Sequence, residues 1–439
     1  MNDTSLCVMF RRIFWVPISL LVGLNEYSDL QEVGEKIVDK CKGLPLAIKS
    51  MGDLLRGKHN KEEWENSLNN DTWGLYERRN INVLPALWLS YYYLPSQLKQ
   101  CFAYCSLFPK DYMFTQKEII FLWMAEGLLH SKKEKGIEEV GEEYFQELIS
   151  KSFFQPSSEN KSTFLMHELI HELAMFVSGE FCSVLNENKL SHKVRHLSYM
   201  RDCGGIFYSK EFEEELSQAK CLRTFLLKLQ WIELDQVWLS IIEQLHEAFP
   251  RLRVLSIANH YMNKLPDSIG SLKYLRYLEL ECCEMKKIPD TICNLYNLET
   301  LILSECGQVT RLPTNIGNLF KLQHLHIPPY LEEMPLQISK MKNLQTLNRF
   351  VVGENEFVIT LLEGLQDLRG TLRLFGLENV DSVEDVLEAK LKNKKFLSQL
   401  HLFWAKTHKP HDSEREKEIL SALEPHASLK AFTIRGYRG

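Results

Sequence analysis

The sequence predicts an α + α/β chain in two parts: a helical block, then a curved solenoid whose units each contribute one short parallel strand. Three observations predict it. Apolar residues recur at helix spacing through roughly the first 180 positions. From Leu252 onward the period changes, and a block of leucines returns every 22 to 24 residues. Composition is that of a globular protein throughout its 439 residues, 45% hydrophobic and 25% charged, long enough for two to four domains.

The helical block opens with Leu30, Val33, Ile37, Val38 and Cys41 at helix spacing, ending at Lys42-Gly43. Pro45 is suited to the first turn of a second helix over 46–55. Further amphipathic patterns cover 81–92, 97–107, 117–129 and 140–150, and Phe164-Leu165-Met166 reads as a brief extended piece feeding another helix.

The second part repeats itself. Leu252-x-x-Leu255-x-Ile257 returns as Leu275-x-x-Leu278-x-Leu280, Leu298-x-x-Leu301-x-Leu303 and Leu322-x-x-Leu325-x-Ile327, and Leu344-x-x-Leu347 begins a fifth, at steps of 23, 23, 24 and 22 residues. Each unit carries a second block, Leu265-Pro266-x-x-Ile269, Ile288-Pro289-x-x-Ile292, Leu312-Pro313-x-x-Ile316 and Met334-Pro335-x-x-Ile338. This is a leucine-rich-repeat array. Each strand turns its leucines into a common core, and the proline block returns the chain along the convex side. Weaker copies at Val194–Tyr199, Leu222–Leu227, Leu397–Leu402 and Leu429–Ile434 extend the array from about 190 to the C-terminus, where no polar cap is evident.

Charge and cysteine usage exclude several classes. A net charge of −6 gives no general affinity for nucleic acid or acidic membranes. Eleven cysteines without framework spacing suit a reducing compartment, and Cys101 and Cys105 read as core residues. Arg11-Arg12 before IFWVPISLLVGL (13–24) resembles a signal peptide, but no small-x-small cleavage site follows, Pro17 interrupts the run, and it is too short to span a bilayer.

Two motifs suggest chemistry. His167-Glu168-x-x-His171 has the spacing of a zinc-peptidase helix, with both imidazoles on one face and Glu168 as general base. No third ligand has fixed spacing: a metzincin would need Gly and His where Ala174 and Val177 stand, and nothing selects Glu180 or Glu187. The bland reading is an amphipathic helix packing Leu169, Ile170, Leu173, Ala174 and Val177. Gly52 to Lys58 fits G-x-x-x-x-G-K, but a helix precedes it and His59 stands where a magnesium-binding hydroxyl is needed, so a phosphate loop is not expected.

The order GLPLAI (43–48), CFAYCSLFPKDYMF (101–114), LWMAEGLL (122–129), VGEEYFQELISKSFFQ (140–155) and MHELIHELA (166–174) resembles plant nucleotide-binding leucine-rich-repeat disease-resistance proteins of the coiled-coil class. GTLRLFGLENV (370–380) and LKAFTIRGYRG (429–439) extend the resemblance, which runs from about Asn25 to the end. It implies a helical remnant of the nucleotide-binding (NB-ARC) switch at 25–78, a winged-helix subdomain at 79–180 and the repeat domain at 190–439, after an apolar segment at 1–24 unlike the family. Residues 166–168 match the family's Met-His-Asp motif, whose histidine reaches the phosphate end of bound ADP. His167 is the matching residue, and Glu168 replaces the usual aspartate. Pro45 matches the proline lining the adenine site. The resemblance assigns no metal role to His171, and none is expected.

Family members carry a coiled coil, a phosphate loop and a Walker aspartate before Gly-Leu-Pro-Leu. These are missing here, so the expectation is an N-terminally truncated receptor-like protein that reads protein partners and is not an enzyme. No cofactor is expected in this form, although full-length relatives bind ADP or ATP. Expected partners are a pathogen effector, a host guard target or another resistance protein, met in the cytoplasm. Nucleic acid, stable membrane insertion and oligomers without the nucleotide-binding domain are not expected. The run 131–147 holds six acidic and three basic residues, the wrong charge for a DNA-reading winged helix. Solvent-facing strand positions expected to meet a partner are Tyr277, Glu279, Glu281, Thr300, Ile302, Ser304, Glu305, His324 and His326, with the three glutamates forming a mildly acidic patch.

Overall fold

The helical half begins where the spacing places it, in a computed structural model that describes residues 28–41, 44–58, 60–70, 73, 85–130, 135–185, 190–200, 216, 218–228, 236–259, 261–281, 283–354, 358–380, 382–405 and 413–438. The apolar run at 13–24 lies outside the described residues, as does Glu187. The chain divides into two units, Met1–Val184 and Leu185–Gly439.

In the first unit, α1 (Ser28–Lys40), α2 (Pro45–Leu55) and α3 (Lys61–Leu68) bury Leu30, Val33, Ile37, Ile48, Met51, Leu55 and Trp64 in one cluster. Pro45 starts α2 because its missing N–H would be unsatisfied there anyway. Asn60 caps α3 by accepting from Glu62 N. Next come α4 (Pro85–Tyr92) and α5 (Ser96–Tyr104), the latter ending in a 3₁₀ turn at Cys105–Leu107.

The rest of this unit is a winged helix. It comprises β1 (Phe114–Thr115), α6 (Gln116–Glu126), α7 (Ile137–Ser150), β2 (Gln155–Pro156), β3 (Thr163–Leu165) and α8 (Glu168–Ser178); a short strand outside the wing sheet, β4 (Cys182–Val184), follows. The wing is antiparallel, in the order β1-β3-β2, with Phe114 opposite Phe164 and Gln155 opposite Leu165. Thr115 and Glu118 form a capping box that starts α6, and Gly127, at φ 76°, ends it in the left-handed conformation glycine tolerates. Aromatic rings fill the core: Phe102 meets Phe153 at 4.7 Å, Phe108 meets Phe114 at 4.9 Å, and Phe145 meets Phe164 at 5.0 Å. Cys101 and Cys105 are buried here as expected, and burial pushes their thiols well up from the ordinary range.

In the second unit, β5 (His196–Met200), β6 (Thr224–Lys228), β7 (Val254–Ala258), β8 (Tyr277–Glu281), β9 (Thr300–Ile302), β10 (His324–His326) and β11 (Thr346–Leu347) pair parallel in chain order. Two short helices, α9 (Gln236–Glu243) and α10 (Leu245–Ala248), lie between β6 and β7. Leu197, Phe225, Leu255, Leu278, Leu301, Leu325 and Leu347 stand in register as one column and are all buried. The leucine period therefore becomes a continuous core. The proline blocks form 3₁₀ turns on the opposite side, at Asp267–Ser271, Asp290–Asn294, Ile316–Asn318 and Leu336–Lys340. Pro266, Pro289 and Pro335 precede three of them with φ near −65°.

A second parallel sheet follows: β12 (Phe350–Val351), β13 (Gly370–Phe375), β14 (Leu397–Phe403) and β15 (Ala431–Arg435), with α11 (Val383–Glu388) before β14 and α12 (Ser413–Ala422) before β15. Leu372, Leu374, Leu400 and Leu402 point into the core. Lys394 is fully buried inside this second unit, where its ammonium donates to the carbonyls of Leu362 and Leu365 at 2.7 Å each.

Candidate functional site

The His167-Glu168-x-x-His171 segment is the start of α8, and its side chains serve three different purposes. His167 is the N-cap, exposed, with Nδ1 accepting from Leu169 N at 3.2 Å. Glu168 is exposed and pairs with Lys110, which holds its carboxyl below the usual range. Lys110 also reaches Glu172 at 3.6 Å. His171 is buried, and its Nε2 lies 2.7 Å from the Phe108 carbonyl. A carbonyl only accepts, so Nε2 carries the proton and offers no lone pair to a metal. The i,i+4 spacing put both histidines on one helix only on paper: the cap position lies outside the helical turn, so the imidazoles do not share a site. Among the described residues no group of three or more His, Cys, Asp or Glu could hold a metal ion.

Gly52 to Lys58 is the end of α2, with Gly52 and Asp53 inside the helix and only Gly57 at positive φ. No backbone cradle forms, because helical N–H groups are already spent on carbonyls. Asp53 instead accepts from Ser152 Oγ and pairs with Arg56, with its side chain only 3% exposed. This ties α2 to the turn after α7. Pro45 is exposed at the first turn of α2.

On the strand face of the second unit the sequence expectation needs correction. Tyr277, Thr300 and His324 are not solvent-facing: they are buried, at 0%, 2% and 0% exposure. They share a register column with His196, Thr224, Val254 and Thr346. Neighbours in such a column are about 4.8 Å apart, so bulky side chains at successive units cover one another. His324 Nδ1 lies 3.0 Å from Thr346 Oγ1, and His196 Nδ1 lies 3.1 Å from Thr224 Oγ1. Glu279, Glu281, Ile302, Ser304 and His326 are half-buried, and Glu305 is exposed. The acidic patch is also reduced by one charge, since Lys228 lies 3.7 Å from Glu279 and 3.4 Å from Glu281. Glu279 further accepts from Ser256 Oγ at 2.6 Å.

The feature that sequence reasoning missed lies on the second sheet. Phe375 and Phe403 stack face to face, with centroids 4.3 Å apart and planes 4° from parallel. Arg349 lies over the outer face of Phe375 at 4.8 Å, and Arg435 lies 5.8 Å from Phe403. The signal was present as strand alternation: Leu372-Arg373-Leu374-Phe375 and Leu400-His401-Leu402-Phe403 put Arg/His and Phe on the same face at matched registers.

Winged helix followed by parallel leucine-rich repeats is the class of protein these two units define. A family model described as the disease resistance protein winged helix domain matches residues 107–174, and one described as a leucine-rich repeat region matches residues 236–438. The chain is a homologue of plant disease-resistance proteins. The disease resistance RPP13-like protein 1 of Arabidopsis thaliana is 39% identical over 94% of this chain and 40% of its own length. Disease resistance protein RGA2 of Solanum bulbocastanum is 36% identical over 94% of this chain and 40% of its own. RPM1 of Arabidopsis thaliana is 32% identical over 62% of this chain and 27% of its own. The chain thus spans about 40% of the length of the first two relatives. A solved internalin from Listeria monocytogenes matches at 15% identity and a TM-score of 0.37, over 56% of this chain and 69% of its own. Among the described residues no helix is long and apolar enough to cross a membrane.

Proposed function

We propose that this chain acts in plant defence by recognising a protein partner through the strand face of its repeats, in the cytoplasm and without catalysing a reaction. The observation that carries this is the unbroken parallel ladder from His196 to Leu347, which presents one side chain per strand at a fixed spacing on a rigid frame. Homology to disease-resistance proteins supplies the setting. Glu281, Ser304, Glu305 and His326 are the candidate contacts of the first sheet, with Glu279 reached only at its edge. The partner is a pathogen effector, a host protein or another resistance protein.

In this reading residues 25–78 are a helical part of a nucleotide-binding switch, 79–180 its winged helix and 190–439 the reader. Pro45 and His167 are its ADP contacts: Pro45 is exposed, and His167 keeps its Nε2 free of the capping bond at an N-terminus suited to phosphate. These two contacts alone give no backbone cradle, so ADP binding by this chain is expected to be weaker than micromolar in an isothermal titration. Co-purification from pathogen-challenged plant tissue tests the main claim. A defined partner held by the full chain and lost on Glu281→Lys with Glu305→Lys supports it. A defence response that persists when Leu278→Asp dismantles the ladder sinks it.

A further inference from the structure

The second sheet carries an unbalanced cluster of positive charge on a chain whose net charge is −6. Arg373 lies beside His401 in the ladder, Phe375 beside Phe403, and Phe403 beside Arg435. Arg349 immediately precedes β12, whose Val351 pairs with Phe375. Alternation places all of these on the face opposite the buried leucines. Arg373 and Arg435 are exposed, while Arg349, His401, Phe375 and Phe403 are half-buried. None of the three guanidinium groups pairs with a carboxylate of the described residues. Arg349 donates to the Pro329 carbonyl and Arg373 to the Asn348 carbonyl at 3.4 Å, and both carbonyls are neutral. Burial, then Arg373 and Arg435, hold the His401 imidazole below its usual range.

We propose that this face docks an acidic segment of a partner protein, whose carboxylates are taken by Arg349, Arg373 and Arg435 around the Phe375–Phe403 stack. The proposal rests on the reading of the repeats as a recognition surface and names the chemistry of one part of it.

Three arguments favour this occupant. Guanidinium forks match carboxylates in two parallel hydrogen bonds, and Arg349 is already held by Phe375 and the Pro329 carbonyl, which lowers the entropy cost of binding there. Arg349 and Arg435 stand three strand spacings apart, roughly 14 Å, too far for one small anion and within reach of about four or five extended residues. Nucleic acid fits less well. Base stacking needs an open ring face, and here the inner faces cover each other while Arg349 and Arg435 lie over the outer ones. Three fixed cations are also fewer than the roughly six to ten phosphate contacts typical of DNA binders.

The test uses the full chain and a fluorescent oligoglutamate peptide of about twelve residues, followed by anisotropy. Wild type is expected to bind, with affinity falling as salt rises past about 0.15 M. Arg373→Glu with Arg435→Glu is expected to bind about tenfold or more weakly at an unchanged melting temperature. Arg373→Lys with Arg435→Lys is expected to fall between. Absence of wild-type binding, equal binding by the reversed variant, or tighter binding of a single-stranded oligonucleotide of matched charge each overturns the proposal. A natural partner captured equally by wild type and the reversed variant also overturns it while leaving the recognition reading intact. Arginine-dependent peptide binding in a chain that captures no partner keeps this proposal and removes that reading.

Discussion

His171 donates its Nε2 proton to the Phe108 carbonyl at 2.7 Å, fastening α8 to the turn that leads into the wing. The bond is buried, so its loss leaves a carbonyl unpaired and opens a small void. His171→Ala is expected to destabilise the chain by about 1–3 kcal/mol. Thermal unfolding measures this, and elemental analysis of the same samples is expected to find no stoichiometric zinc in either. Zinc present in wild type and absent from the variant would restore the peptidase reading.

Adjacent repeats touch through glycine on the turn side. A Cβ on Gly270 would lie 2.4 Å from the Thr291 carbonyl oxygen, and one on Gly317 would lie 2.5 Å from that of Gln337. Those contacts are with backbone, which cannot swing aside. Gly270→Ala or Gly317→Ala is expected to cost about 1–3 kcal/mol by chemical denaturation. Gly307→Ala, with nothing within 4 Å, is the matched control and is expected to be near neutral.

Burial pushes the Lys394 ammonium down to about 8 from 10.5, against the raising influence of Glu363. The sign follows from proton counting. Between these values the unfolded chain binds more protons than the folded one, so the Lys394 contribution to stability rises with pH across that window. A neutral amine keeps two N–H groups, enough for the Leu362 and Leu365 carbonyls. The stability of wild type relative to Lys394→Met is therefore expected to climb from about pH 8 towards pH 10.5. A flat or falling difference in denaturant midpoints contradicts this.

Asp53 also has a buried carboxylate with a joining role. Removing it strands Ser152, which sits at φ 64°, and frees Arg56. Asp53→Ala is expected to cost about 1–3 kcal/mol, and Asp53→Asn, which still accepts from Ser152, less than half of that. Equal losses for both variants would mean the carboxylate matters through its charge alone.

Much of this was legible in the sequence because period is a direct readout of which side chains are buried. Leu252, Leu255 and Ile257 recur at the spacing of a stacked strand and are all fully buried. Gly43-Leu44-Pro45 and the proline blocks announce helix and turn starts through the fixed φ of proline. What alternation could not tell was depth. It puts Tyr277, Thr300 and His324 on the face away from the leucine core, yet their burial depends on what stands in the same slot one repeat away, a fact about neighbours some 23 residues distant. The charge of Glu279 was misjudged for the same reason, since Lys228 comes from two strands earlier in the sheet. His167 looked like a ligand because spacing counts residues but not where the first turn begins.

The guanidinium resting over Phe403 bears on how this surface drifts over generations. Losing Arg435 does not leave a vacancy; it bares a flat phenyl ring beside whatever once met a cation. One codon change thus replaces a cationic cover with an apolar one, with the leucines beneath untouched. Such a face can change its chemistry without a change in the architecture that carries it.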